Sequence, residues 1–237
     1  MTGSILLKIL VATGILIFLF PFMDKRQKQK TKPNMDTQLQ TVIKLPDPVY
    51  KSGTSIEEAL LKRRSVREYK KEPLELKEIS QLLWAAQGIT SKEDGRTAPS
   101  AGALYPLELY VISGNINSLT AGVYHYRPSD HSLEQIAEGD KRKLLSAAAM
   151  MQGAVNKSAA VIVIAAEYKR TTGKYLERGK RYVHMEAGHA AQNIYLQAVS
   201  LKIGTVVIGA FSDSLVKQIL HLPKSEEPLY LMPVGKI

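Results

Sequence analysis

No cysteine occurs anywhere in the 237 residues. That excludes disulfides, thiolate metal sites, a cysteine nucleophile and a lipid-modified cysteine, and it leaves the compartment open. Paired metal-binding histidines are missing as well. His184 and His189 stand five residues apart, a spacing that does not put two helix side chains on one face, and there is no zincin pattern. Gly173-Lys174 and Gly179-Lys180 lack the earlier glycine and the following serine or threonine of a Walker loop. No Gly-x-Gly-x-x-Gly follows a strand, so a Rossmann nucleotide site has no support. Ser100 has no nucleophile-elbow setting, and no internal repeat is visible.

What is abundant is positive charge: 32 Lys and Arg against 22 Asp and Glu, a formal +10. The excess is uneven. Within residues 1–32, Lys8, Lys25, Arg26, Lys28, Lys30 and Lys32 face only Asp24, which accounts for half of it. The rest is spread among acidic residues without interleaved aromatics or a ribonucleoprotein motif, so a nucleic-acid partner is not expected. Hydrophobic residues at 45% and charged residues at 23% describe a globular chain, long enough for one sizeable domain.

Ile5 to Met23 is apolar except for Lys8, Thr13 and Gly14. As a helix it would reach roughly 28 Å, about the thickness of a bilayer core. Phe20-Pro21-Phe22-Met23 makes a poor cleavage site, so residues 1–23 read as a single-pass anchor rather than a signal peptide. The basic flank would hold the domain on the cytoplasmic side. Residues 24–42 read as a polar tether, and 43–237 as the domain proper.

Along that domain the periods alternate. Ser55 and Glu58 are spaced as a capping box for a helix that runs out near Arg63 to Ser65. Leu76, Ile79, Leu82, Leu83 and Ala86 predict a helix over 75–87, stopped by Gly88. Residues 107–112, 123–126, 132–136, 159–166, 204–208 and 229–234 read as strands. The unbroken apolar run 159–166 reads as a central strand. Residues 141–151, 185–201 and 213–220 read as helices. The polar, basic stretch 168–182 is open between a solvated loop and a functional segment. Helices and strands mix without regular βαβ alternation, which favours an α+β fold.

Arg63-Arg64-Ser65-Val66-Arg67-Glu68-Tyr69 puts three guanidinium forks in five residues, a density suited to phosphate. A plainer reading sets Arg63 and Arg64 as cations at a helix C-terminus, which does not serve Arg67. Pro99-Ser100-Ala101-Gly102-Ala103 is short-chained and would let a ligand approach backbone amides.

In this order, Arg63 to Tyr69, Leu82-Leu83-Trp84-Ala85-Ala86-Gln87-Gly88, and Pro99 to Pro106 resemble the nitroreductase superfamily of FMN flavoproteins. Arg178-Gly179-Lys180-Arg181-Tyr182, Glu186-Ala187-Gly188-His189 and Ile208-Gly209-Ala210-Phe211 resemble its SagB-type dehydrogenase branch, whose members oxidise azolines to thiazoles and oxazoles. The resemblance implies a mostly antiparallel sheet flanked by helices, a homodimer, and FMN at its interface. It implies that Arg63, Arg64, Ser65 and Arg67 bind FMN, with Arg67 also catalytic beside the pyrimidine edge. Pro99, Ser100, Ala101, Gly102 and Ala103 would reach it from the partner subunit. Val207, Ile208, Gly209 and Ala210 would present backbone near the reactive ring nitrogen. Lys174 and Tyr175 stand where azoline-oxidising relatives carry a catalytic Lys-Tyr pair.

Simple nitroreductases usually have asparagine at Ala103 and tryptophan at Leu107, and carry basic phosphate ligands on a C-terminal extension, where this chain has Lys236. The implied activity is hydride transfer between flavin and a small organic or peptide-derived substrate. The alternatives are an NAD(P)H-dependent nitro- or quinone reductase and a non-enzymatic basic module that binds membrane surfaces or nucleic acid.

Overall fold

The structure is a computed structural model that describes residues 41–93 and 95–237. In chain order the elements are β1 (Val42–Lys44), α1 (Ile56–Lys62), β2 (Leu74–Glu75), α2 (Leu76–Gln87), β3 (Leu107–Ser113), β4 (Ile116–Asn117), β5 (Gly122–Arg127), β6 (Ser132–Glu138), α3 (Arg142–Ala148), α4 (Gly153–Lys157), β7 (Ala160–Ala166), α5 (Tyr168–Tyr175), α6 (Arg178–Leu201), β8 (Ile203–Thr205), α7 (Asp213–Leu220) and β9 (Glu227–Lys236). Seven strands form one sheet in the order β1-β6-β5-β3-β7-β9-β8, and every neighbouring pair is antiparallel. A separate β2-β4 ladder is parallel. The α+β class expected from the sequence is the one observed.

β7 lies inside the sheet between β3 and β9, and all seven of its residues are buried. Its even-numbered residues enter a core with α2 and α6, while Val161, Val163 and Ala165 enter a second core with α3, α4 and α7. Burial on both faces, not parallel pairing, therefore gives the continuous apolar run. Each such aliphatic side chain contributes about 1.5–3 kcal/mol.

Three boundaries differ from the expectation. The 168–182 stretch is helical: α5 and the first turn of α6 occupy it, so α6 starts seven residues before Met185. α3 stops at Ala148, because Met150 and Met151 take positive φ. β9 reaches ten residues, from Glu227 to Lys236.

The expectation of a membrane-anchored protein with its domain on the cytoplasmic side is corrected here. Among the described residues no helix is long and apolar enough to cross a membrane. The 1–23 segment that prompted the expectation, and the 24–42 tether up to residue 40, lie outside those residues.

Two glycines decide where the arginine stretch runs. Gly204 on β8 pairs with Gly235 on β9. A Cβ on Gly204 would stand 2.7 Å from Val66 Cγ1, and one on Gly235 2.8 Å from Tyr69 Cβ. The bare backbone lets residues 66–69 lie directly on the sheet edge. Gly235→Ala should therefore cost about 1–3 kcal/mol through overpacking, read as a lower urea midpoint; an unchanged midpoint would show that the segment lifts without resistance.

Candidate functional site

α1 ends where Arg63 leaves helical geometry, at φ −53° and ψ 124°, with its N–H still bonded to Ala59 O. The chain then runs extended beside the sheet edge: Val66 N–H donates to Thr205 O at 2.9 Å and Lys70 N–H to Lys236 O at 2.9 Å. Ser65 Oγ lies 3.0 Å from Tyr195 Oη, which also accepts the Val207 N–H at 2.8 Å. The Arg63 guanidinium stands 5.2 Å from the centre of the Tyr195 ring. Tyr195, on the buried side of α6, thus pins the arginine stretch and the 206–210 turn to one point.

Within the stretch, roles diverge. Arg64 folds back onto the Leu61 and Arg63 carbonyls. Arg63 and Arg67 form no ion pair with a described residue. Lys236 is paired with Glu78 beneath the segment. In the turn, Val207 has given its N–H to Tyr195, and Ile208 is paired with Leu231. Gly209 and Ala210 are exposed, and neither N–H donates to a described residue. Gly209 and Ala210 thus offer two consecutive free amides on the turn that Tyr195 joins to Ser65 and Arg63.

The Pro99–Ala103 loop ends in a single 3₁₀ turn, Ala101–Ala103, with Gly102 at φ 65° and Ala103 at φ 53°. Ser100 Oγ donates to Glu186 Oε2 at 2.5 Å and accepts the Tyr105 N–H at 3.0 Å. Pro99, Gly102 and Ala103 are exposed. A Cβ on Gly102 would lie 2.8 Å from Tyr175 Oη and 3.1 Å from Lys174 Nζ, so the end of α5 stands against the loop. Tyr175 also meets the Tyr182 ring edge-on at 5.1 Å. Lys174 and Tyr175 sit on a helix, not on the solvated loop that remained open in the sequence.

The two groups do not meet within one chain. Glu186 and Tyr195 are separated along α6 by two and a half turns, roughly 13 Å at about 1.5 Å per residue, and so project to opposite sides of the helix. The structure brings Arg63, Ser65 and Val207 together at Tyr195, with Gly209 and Ala210 two and three residues further along the same turn. It brings Ser100, Gly102, Lys174 and Tyr175 together on the other side of the helix. A cleft of about 340 Å³ lined by Lys62, Arg64, Tyr195 and Lys202 borders the first group. A separate cleft, about 690 Å³ beside Tyr50, Trp84 and Gln197, includes none of these site residues.

Electrostatics separate two buried acids. Burial pushes the Glu186 carboxyl up to about 7, against the Ser100 bond and the Arg96 charge, which act downward. Burial also pushes Glu108 upward, but hydrogen bonds and charge from His125 and Arg170 outweigh it and hold it below the ordinary value. Arg170 spans Glu108, Glu167 and the Tyr105 carbonyl, tying the start of α5 to the loop.

Sequence reasoning missed Tyr195, Arg96 and the Glu108–His125–Arg170 cluster. The available signal for Tyr195 was a tyrosine in an alanine-rich buried helix face, since a buried phenol needs a partner for its hydroxyl.

Residues 60–236 match the profile of the nitroreductase family. A protein of Methanocaldococcus jannaschii named as a nitroreductase is 47% identical over 194 residues, which is 82% of this chain and 96% of that one. The microcin B17-processing protein of Escherichia coli is 30% identical over 176 residues, 70% of this chain and 64% of its own length. A crystal structure from Ralstonia eutropha, titled as a nitroreductase, superposes with a TM-score of 0.72 at 31% identity, covering 82% of this chain and 89% of that one.

A carboxyl raised on folding contributes stability that is complete below its unfolded value near 4.5 and is lost as pH rises through about 7. Glu186→Gln should remove that loss, so its urea midpoint relative to the parent should climb between those pH values. Parallel pH profiles would contradict the assigned burial of charge.

Proposed function

The chain belongs to the nitroreductase family and is an oxidoreductase, and on that premise we propose that it uses FMN, held between two copies of the chain, to move hydride between the flavin and a small organic or peptide-derived substrate. The observation that carries the reading is Tyr195, which joins Arg63 and Ser65 to the turn bearing the exposed Gly209–Ala210 amide pair. This donor set fits a phosphate-bearing, hydrogen-bonding planar cofactor: cations without carboxylate partners, a hydroxyl, and free N–H groups on an accessible backbone.

Bound FMN supplies a two-electron acceptor for hydride. Arg63 and Ser65 would hold the phosphate and ribityl side, with Tyr195 fixing both. Arg67 would add positive charge where negative charge develops on reduction, so its field would favour the reduced state. Gly209 and Ala210 would offer their free N–H groups to the ring. Val207 anchors that turn instead of contacting the ring, because its N–H is already bonded to Tyr195. Arg64 acts through the backbone it caps.

Pro99 to Ala103 complete the site from the second copy. The support is geometric: the loop and the arginine stretch lie on opposite sides of α6, so one chain cannot close both on one ligand. Tyr175, with Lys174 beside it, is placed against that loop and would hold the proton that accompanies hydride transfer. A SagB-type activity on a peptide-derived substrate draws support from the 30% identical microcin-processing relative. The 47% identical relative named as a nitroreductase favours a second reading, an NAD(P)H-dependent nitro- or quinone reductase. Rapid anaerobic bleaching of the flavin by NAD(P)H would select that second reading; a flavin unchanged by NAD(P)H would select the first.

Two further outcomes test the site. Arg67→Ala should lower the flavin's reduction potential while leaving its retention nearly intact, whereas Arg63→Ala should chiefly weaken binding; equal FMN content and potential in both would return the stretch to surface charge. Arg63→Ala and Ala101→Trp chains, each unable to hold FMN alone, should regain about a quarter of the sites when refolded together, since half the random dimers are mixed and each carries one intact site. No recovery in mixtures that do dimerise would place both residue sets outside a shared site.

A further inference from the structure

Glu186 is the most deeply buried ionisable group beside the loop, and the chemistry above leaves it unused. It is only 2% exposed at the middle of α6. Its Oε2 accepts from Ser100, while Oε1 has no partner. Burying a carboxyl incurs a large desolvation cost, which packing alone does not require, because an apolar side chain or glutamine fills the same space. Nearby, Arg96 Nε and Gln87 Nε2 are also buried without partners, although Arg96 Nη1 reaches Gln87 Oε1 at 2.9 Å. Ser100 passes the constraint onward, because its hydroxyl also receives the Tyr105 N–H. Both ends of a turn that holds Gly102, Ala103 and Tyr105 at positive φ therefore hang from this one carboxyl. A turn with three such residues does not hold itself.

We infer that Glu186 is the positioning residue of the 99–103 loop, holding it through Ser100 in the conformation that meets the flavin, and holding it more firmly as a carboxylate than as an acid. The inference rests on the FMN reading above. A hydroxyl bonded to an ionised oxygen is held roughly twice as strongly as one bonded to a neutral acceptor. Burial opposes ionisation and moves the transition up to about 7, so the grip changes within the range in which enzymes work. Arg96 acts on Glu186 from the segment after α2, Lys174 and Tyr175 stand across Gly102, and Tyr182 and His189 lie one turn away on its own helix. Of these, His189 is the one histidine, so it needs its own control.

The test uses the full chain, with FMN affinity followed by quenching of flavin fluorescence between about pH 6 and about pH 8. The phosphate of FMN itself titrates near about pH 6, so the readout is the ratio of parent to Glu186→Gln affinities at each pH. That ratio should rise about threefold in favour of the parent as pH increases, the difference between a charge-assisted and a neutral hydrogen bond. Ser100→Ala should bind FMN more weakly and follow the pH profile of Glu186→Gln, and His189→Asn should keep the bend. A purely structural role for Glu186 would shift affinity without changing its pH dependence.

Parallel profiles for parent and Glu186→Gln overturn the inference, as does a bend that survives Ser100→Ala or disappears in His189→Asn. If Glu186→Gln does not fold, the parent-to-Ser100→Ala ratio decides by the same criterion. A parent that binds no FMN at any pH overturns the flavin reading and this inference together. Binding with parallel profiles overturns this one alone.

Discussion

The hydroxyl of Tyr195 joins three pieces of chain that are far apart in sequence. It receives the Val207 amide, meets Ser65, and carries Arg63 over its ring. Without it, the chain after α1 would still meet the end of β8 through the Val66–Thr205 backbone bond, but Arg63 and Ser65 would lose their shared anchor with the turn. The contact also explains why α6 has to be long and small-chained. Ala187, Ala190, Ala191 and Ala198 let the helix lie close against the sheet and α2, which brings the phenol within reach of both strands of chain. The glycine pair on β8 and β9 does the complementary work from below, by letting residues 66–69 lie flat.

From this follows an unusual division of labour along one helix. One side of α6 organises cations and free amides; the other, through Glu186, organises the loop of short residues and the end of α5. Each half is built from buried polar contacts whose loss would leave a group unsatisfied, so each is locally stiff. Stiffness in both halves suits the rigid, planar cofactor proposed above.

Much of this was legible in the sequence. The helix of 76–87, the β5–β6 hairpin and the buried strand at 160–166 follow from periodicity, because burial imposes a pattern that composition cannot hide. The antiparallel neighbours of β7 came from the family resemblance and not from the pattern, because a strand covered on both faces reads the same whichever way its partners run. Nor was the helical state of 168–175, since its stability comes from Arg170 bridging Glu108 and Glu167 and not from an apolar face. At the site, residue types pointed to Arg63, Ser65 and the 99–103 loop, whereas Tyr195 and the Ser100–Glu186 bond were invisible because they depend on contacts across more than eighty residues. A membrane anchor, the most confident-looking pattern in the first 23 residues, finds no counterpart among the described helices.

The central claim is that these residues grip a flavin, and the absorption spectrum of the purified chain tests it most directly. The account predicts flavin bands in the protein as isolated, or their structured, red-shifted form once FMN is added and unbound cofactor is removed. A colourless protein that releases all added FMN would contradict it.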